Sequence, residues 1–419
     1  MNVKANIVWS IATNIIIGLG IFINQIVIAR MAGREMLGLY ILAISVINPL
    51  IPVTLPSLRD IVVSDAKNEF SLSKVVATRV AGVFAVFVPL SVAGLVLARG
   101  SPVYGFVLAL LSISTAFDGI GDQLNAVCQK ANRMNLITYS KATRSSLCVL
   151  LNLVVLHQTK SLVLAALSTL TVSALVTCLV DVNLANRVLR REPSSENYRR
   201  VGLEWDWGTS YRLALLVIPL SITVALGAFT LNVPRYALSR YSGLAMLGVF
   251  GALSAFCNPL RMTMIAIGQS LFSRLSVFYV QGDVERIRGN LRKVLALCAG
   301  VCLAAVAVIA VAGDYLVSIF GKGYTGYTLP LIILAIAYSI SGATSIYGNI
   351  CTAARWFKGQ TVIAGASLAL GLPLAYSLVP NYGLFGAALS LLATTSFGCI
   401  LFAIVTANVL KQRLRETNL

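Results

Sequence analysis

Arg261 stands in a stretch that leaves little room for a charge. It follows Asn258-Pro259-Leu260 inside a run that is otherwise almost wholly apolar from Gly243 to Phe272. If that run is one helix to about residue 272, Arg261 lies ~16 Å from its inner end, near the middle of a bilayer. A charge at that depth costs a few kcal/mol or more unless it meets water, an anion or a carboxylate, so it must face a protected interior. The planar, permanently charged guanidinium suits a phosphate or another anionic group of a ligand. The structural alternative is a buried ion pair with Asp118 or Asp122, which stand four residues apart on one helical face with Gln123 and Asn125 nearby. An interior polar cavity is the stronger reading of Arg261.

Other residues share this region. Asp118 and Asp122 are candidates for coupling to H+ or Na+, since carboxylates in a partly dry cavity exchange protons or bind cations. Near the inner interface they could instead be solvated or neutralise a base such as Arg133. Arg30 and Arg240 end apolar runs at the outer face, where snorkelling explains them and an outer gate is the functional alternative. Asn24, with Asn14 and Gln25, adds polarity to the first apolar segment. Arg59 with Asp60 marks the inner end of the second segment, as a topology charge or as a guide for an anionic headgroup. Asn48 and Asn258 each precede a proline and can rebond the carbonyl it frees, at a hinge or a static kink. No catalytic residue is assigned: the chain lacks a phosphate-binding lysine loop, a nucleophile elbow and a zinc-binding histidine pair. His157 is the one histidine and the eight cysteines show no CxxC, so no metal site and no cofactor are expected.

The elements that must position these groups are membrane helices. The chain is 58% hydrophobic and 11% charged, too apolar for a soluble protein of 419 residues. Spanning a bilayer takes about 20 apolar residues as helix. Twelve stretches qualify: 7–29, 36–57, 76–98, 102–126, 142–158, 161–185, 210–232, 243–270, 292–313, 325–348, 360–379 and 382–408. With the N-terminus inside, 25 of the 33 Lys and Arg fall in inner segments and 7 in outer ones, while Arg261 is within a span. That bias puts both termini in the cytoplasm. The +18 net charge is then topology signal and attraction to anionic membrane lipid, with no call for nucleic acid.

The sequence RMAGREMLGLYILAISVINPL at 30–50 returns without a gap as RYSGLAMLGVFGALSAFCNPL at 240–260, with eight of 21 positions identical. A second echo relates LAALSTL at 164–170 to GAALSLL at 386–392. Copies six helices apart have the same orientation, so the expected fold is an all-α membrane protein of two six-helix bundles around a pseudo-twofold axis along the membrane normal. The boundaries are an N-terminal bundle at 1–185, a cytoplasmic linker at 186–209, a C-terminal bundle at 210–408 and a cytoplasmic tail at 409–419. At repeat-equivalent positions Arg261 stands against Ile51, so one half alone supplies the central charge.

These motifs resemble those of the polysaccharide-unit flippases within the multidrug/oligosaccharidyl-lipid/polysaccharide exporter superfamily. The matching segments are IARMAGREMLGLYILAISVINPL, LSRYSGLAMLGVFGALSAFCNPL and NYGLFGAALSLLATT. The resemblance implies alternating access by two bundles and a substrate of undecaprenyl-diphosphate-linked oligosaccharide, an O-antigen or exopolysaccharide unit. It also implies a bacterial inner-membrane location, with a repeat-unit polymerase and chain-length machinery as partners. By that resemblance Arg261 is a cavity arginine for the diphosphate, and Arg30 matches the arginine that closes the first helix. Two other classes compete. A cation-coupled drug or small-molecule exporter of the same fold would depend on Asp118 and Asp122, although such exporters typically carry acids in the first helix, where this chain has Asn and Gln. A membrane-bound polymerase or glycosyltransferase would need a sizeable outer loop and a carboxylate cluster, which the sequence lacks.

Overall fold

The computed structural model describes residues 3–64, 71–191, 202–281, 283–354 and 356–417, and among them there is no strand. Residues 192–201 of the expected linker, Lys67, Arg355 and the last two residues of the tail lie outside the described residues. The chain divides into two compact units, Met1–Ala225 and Leu226–Leu419.

The first unit begins with α1 (Val3–Ala32) and α2 (Arg34–Ile47). Two 3-10 turns follow, Asn48–Leu50 and Pro52–Thr54, and then α3 (Leu58–Ser64). Pro49, Pro52 and Pro56 remove three amide donors within eight residues, so the helical ladder cannot continue, and Leu55 takes a left-handed conformation at φ 58°. Next come α4 (Leu72–Leu97), α5 (Pro102–Lys130) and α6 (Met134–Thr159). Finally α7 (Leu162–Leu175) passes through a π-helical turn, Val176–Asp181, into α8 (Val182–Arg191). The backbones of α4 and α5 touch where glycine permits it: a Cβ on Gly94 would lie 2.9 Å from both the Ala109 amide and the Gly105 carbonyl.

The division between units falls inside α9 (Trp207–Tyr241). Its first turns pack on the first unit, where Leu213 and Val217 join Leu72, Val75 and Leu124 in one apolar cluster. Thr78 and Ser210 share a 2.8 Å hydroxyl hydrogen bond, and Lys74 Nζ reaches Asp206 Oδ2 at 2.9 Å. Asp206 also accepts from the Thr209 hydroxyl at 2.6 Å, and these two bonds pull its carboxyl down to about 2. Farther along, α9 bends by 49° between Ile218 and Ser221, at Pro219.

The second unit holds the rest of α9 with α10 (Gly243–Gln281), α11 (Val284–Ser318), α12 (Thr328–Ala353) and α13 (Phe357–Thr417). The Asn-Pro pair that ends α2 does not end α10, which runs through Pro259. One proline costs one bond and a kink, whereas the first copy has three. Gly33, immediately before α2, and Gly243, the first residue of α10, are identical in the repeat and adopt φ 91° and 83°, a conformation that only glycine takes without strain.

α13 is a hairpin. Gly383 interrupts it at φ 53°, ψ −128°. A Cβ on Gly371 would be 3.0 Å from the Thr394 side chain, one on Gly398 2.9 Å from Ser367 Oγ, and one on Gly386 would strike the Leu378 carbonyl. Each contact joins residues equally far from the turn, so the limbs run antiparallel, and they correspond to the expected spans 360–379 and 382–408.

Among the described residues nine helices are long and apolar enough to cross a membrane, or ten with the bent α9. The second limb of α13 and α6, the latter carrying Lys141, Arg144 and Asn152, bring the segments to the twelve expected. Large apolar side chains face outward along these helices, with Val8, Val92, Val96, Leu303 and Val311 among the exposed. This is a multi-pass integral membrane protein.

Gly386→Val should spread the α13 hairpin, because overpacking costs about 1–3 kcal/mol, whereas Gly365→Val meets open space. Thermal unfolding of the two purified variants should show a fall for the first and a value near wild type for the second. Equal values would refute the close approach of the limbs.

Candidate functional site

The first unit contains a network of ionised side chains in its helical interior. Arg144 of α6 is its hub. Arg144 Nη1 donates to Asp118 Oδ1, and Nη2 to Asp181 Oδ2 at 2.7 Å and Thr177 Oγ1 at 2.9 Å. Asp181 is fully buried and also accepts from the Ser140 hydroxyl and from Asn125 Nδ2 at 3.5 Å, whereas 45% of the Asp118 side chain is exposed. A second pair joins Arg59 of α3 to Asp122 at 2.7 Å, with Gln129 Oε1 accepting from Arg59 Nη2 at 2.7 Å and Lys141 Nζ 3.6 Å from the same carboxylate. Arg79 of α4 donates to the carbonyl and hydroxyl of Thr54 and to the Gly119 carbonyl at 3.4 Å.

Local sequence makes this possible. In Asp118-Gly-Ile-Gly-Asp122, both glycines are gaps in the wall of α5. A Cβ on Gly119 would stand 3.2 Å from Arg79 Nη2; one on Gly121 would overlap Asp181 Oδ2 and come within 2.9 Å of Arg144 Nη2. The π-helical turn presents Thr177 and Asp181 to the same gap, and Thr177 also donates to the Phe117 carbonyl at 3.0 Å.

The expected site residues therefore scatter. Asp118, Asp122 and Arg59 come together but are ion-paired within the first unit, and the partners of the two aspartates are Arg144, Arg59 and Lys141. Asn24 is buried in an amide network, accepting from Asn152 Nδ2 at 2.8 Å and donating to the Tyr40 hydroxyl at 3.5 Å. Arg30 and Arg240 are exposed residues in the last turns of α1 and α9, and Arg240 lies 5.9 Å from the Tyr241 ring centroid. Asn258 is half-buried in the continuous α10. Among the described residues no cluster of His, Cys, Asp or Glu gathers to hold a metal.

Three participants escaped the sequence reading. The fifth span was expected to begin at 142, yet α6 starts at Met134 and carries Arg144 well inside. Asp181 stands inside the expected span 161–185, where an ionisable residue is itself a signal. Arg235 falls in an outer segment if the seventh span ends at 232, but α9 continues to Tyr241.

The second unit holds the other basic site. The backbone of Arg261 packs on Gly342 of α12, where a Cβ would lie 2.8 Å from the Arg261 carbonyl. Its side chain makes no ion pair with a described residue, and its buried Nε meets no acceptor among them. One turn before Gly342, the buried Tyr338 accepts from Arg235 Nη2 at 3.3 Å, while Arg235 Nη1 donates to Asn232 Oδ1 at 2.9 Å. The two arginines are near enough for their charges to repel. Carboxylates described in this unit (Asp283, Glu285 and Asp314) lie at the ends of α11.

Solved structures share this helical arrangement over the whole chain. A multidrug resistance MATE family transporter of the MOP superfamily, in its inward-facing conformation, superposes with a TM-score of 0.72 at 12% identity, covering 100% of this chain and 97% of that one. The chain has the MATE transporter fold. The MATE multidrug transporter DinF-BH gives 0.69 at 13% identity over 97% and 96% of the two chains. The Vibrio cholerae MATE transporter VcmN in its bent form gives 0.64 at 15% over 98% and 97%. In sequence, the capsular polysaccharide biosynthesis protein CapF of Staphylococcus aureus is 22% identical over 392 residues, 92% of this chain and 94% of that protein. No family profile matches the chain.

Removing one partner of a buried ion pair costs about 3–5 kcal/mol because the other charge remains. Asp181→Ala should therefore sharply lower the yield and unfolding temperature of the protein, and Arg144→Ala in the same chain should restore part of the loss. Losses that simply add would show that the two side chains are not coupled.

Proposed function

We propose that the protein is a flippase that carries undecaprenyl-diphosphate-linked oligosaccharide units, of O-antigen or exopolysaccharide, across the bacterial inner membrane by alternating access. The observation that carries this reading is the contrast in charge. Asp118, Asp122 and Asp181 are each matched by a base within their own unit, while Arg261 has no described counter-ion and repels Arg235. A ligand that completes such a site is an anion. A cationic drug would have to displace Arg144 or Arg59 from its carboxylate. CapF, which is named for capsular polysaccharide biosynthesis, supports a polysaccharide role.

In this reading the halves descend from one duplicated six-helix plan, with both termini cytoplasmic. The repeated sequence, the shared positive φ of Gly33 and Gly243 and the Lys and Arg bias support it. Arg261 binds diphosphate, Arg30 and Arg240 line the outer approach, and Arg59, Asn24 and Asn258 act as supporting polar groups. The protein is not an enzyme and uses no cofactor. Coupling to H+ or Na+ runs through Asp118 and Asp122, the carboxylates that meet Arg144 and Arg59. The partners are membrane lipids and, downstream, the repeat-unit polymerase and chain-length machinery. A second reading, cation-coupled export of drugs, is favoured by the multidrug transporters among the solved neighbours.

Deletion of the gene should leave complete lipid-linked repeat units on the inner leaflet and stop surface polymer assembly. Normal surface polysaccharide in the deletion strain would sink the proposal. In complementation, Arg261→Ala should reduce polymer about tenfold to a hundredfold, the loss of one charge-assisted contact worth ~1.5–3 kcal/mol, and Arg261→Lys should retain part of the activity. Drug resistance that depends on Asp118 and Asp122, with polymer unaffected, would establish the export reading.

A further inference from the structure

We propose that Trp205, Trp207 and Tyr211, with Trp9 and Tyr139, form an aromatic collar at one end of the first unit that docks in the headgroup layer of the bilayer. The partner of this surface is lipid, at the glycerol and phosphate zone between water and hydrocarbon. The collar is independent of the cargo and sets the depth at which α9 enters the membrane.

The first three rings stand out from the protein although the backbone beneath them is held. Trp207 is 78% exposed, Tyr211 67% and Trp205 45%. Trp205 and Trp207 meet edge to face with ring centroids 5.0 Å apart. Their backbone is pinned to α4: a Cβ on Gly202 would stand 3.1 Å from Ser73 Oγ, Lys74 Nζ meets Asp206 Oδ2 at 2.9 Å, and Thr78 shares a hydrogen bond with Ser210. Asp206 also caps α9, its Oδ1 accepting from the Gly208 amide at 3.2 Å. A patch of large rings on an ordered backbone, left uncovered by its own chain, marks a surface for an outside partner.

Position along α9 selects lipid as that partner. Trp207, Tyr211 and Leu215 follow at four-residue steps on one helical face, and all three are exposed. Water lies at one end of the stripe, where the ion pair of Lys74 and Asp206 leaves 35% and 38% of the two side chains exposed. Hydrocarbon lies at the other, where Leu215 and Leu216 stand outward. Trp207 and Tyr211 are ~6 Å apart along the axis, and the headgroup layer of one leaflet is ~5–8 Å deep. The two rings therefore span that layer, the zone that suits an apolar body with a hydrogen-bonding edge. Arg212, exposed beside Tyr211, has the length to reach lipid phosphate.

The rest of the unit repeats the pattern at the same end. Thr13 of α1 bonds Thr138 of α6 at 2.7 Å, so these two helices start together, and there Trp9 and Tyr139 pair with centroids 5.7 Å apart. Gly94 against Ala109 and Arg79 against Gly119 make α4 and α5 antiparallel, which sets the start of α4 beside the end of α5, three residues before α6 begins. The starts of α1, α4, α6 and α9 thus share one end of the unit. Among the described residues of this unit the opposite end holds no Trp and no exposed Tyr. Rings spread by chance over a lipid-facing surface would not gather in this way.

The test reads tryptophan depth in the full chain held in phosphatidylcholine nanodiscs. Trp9→Phe and Trp356→Phe together leave Trp205 and Trp207 as the emitters. Lipid brominated near the glycerol should quench their emission by more than about half, and lipid brominated near the chain ends and iodide in the water should each quench it less, as a headgroup position requires. A single emitter should then move inward one turn at a time: Trp207 alone, then Tyr211→Trp and Leu215→Trp in a chain without the other tryptophans, with quenching by the deep bromines rising in that order. If these backgrounds fail to fold by thermal unfolding, the difference in emission between wild type and the Trp205→Phe, Trp207→Phe chain gives the first quantity directly. Iodide quenching stronger than either lipid label would put the rings in water, and protection from all three quenchers would mean a protein cover; each would overturn the collar. Equal depth at the three positions would overturn it as well, because the stripe would not cross the interface.

Discussion

An uncompensated charge cannot rest in hydrocarbon, and the interior of this protein is arranged around that constraint. In the first unit each described interior carboxylate meets a guanidinium or ammonium. Those contacts dictate where the helices approach: α5 has lost two side chains so that Arg79 and Arg144 can reach its wall, and the segment after α7 widens into a π-helical turn so that Asp181 and Thr177 face Arg144. The geometry of three helices is thus fixed by one side chain. Such a cluster contributes more to a unique register than to net stability, because ionised groups removed from water lose much of their attraction to desolvation.

The second unit uses close backbone contact to a different end. Gly342 admits the backbone of Arg261 against α12, which fixes the root of the side chain but supplies no countercharge. Glycine therefore does two jobs in one chain: Gly119 and Gly121 make room for a pair that is complete, and Gly342 positions a charge that is not. The difference between the units is one of electrostatics laid over similar helical material.

Much of the fold was legible from sequence. Length and apolarity located twelve segments because a bilayer imposes one length on every span. Pro49, Pro52 and Pro56 mark the break after α2, since proline acts locally. The failures also have local causes. Lys141 and Arg144 made the start of α6 read as a cytoplasmic loop, and Pro234-Arg235 made the end of α9 read as an outer one. In both places a charge was taken as a mark of water, when its solvent is a carboxylate or a phenol on another helix.

The sequence by itself determined the solvent of this protein, the apolar segments that enter it and the chemical oddity of Arg261, because each follows from composition or periodicity along the chain. Only the tertiary structure decided which charges are matched. In the sequence the partner of Asp118 and Asp122 is Arg261, Arg133 or water, and in the fold it is Arg144, Arg59 and Lys141, while Arg235 reads as an outer charge and is the neighbour of Tyr338. Charge matching in the first unit's interior depends on atoms brought within about 3–4 Å by residues that are 19 to 63 positions apart in the chain. No local pattern encodes that distance.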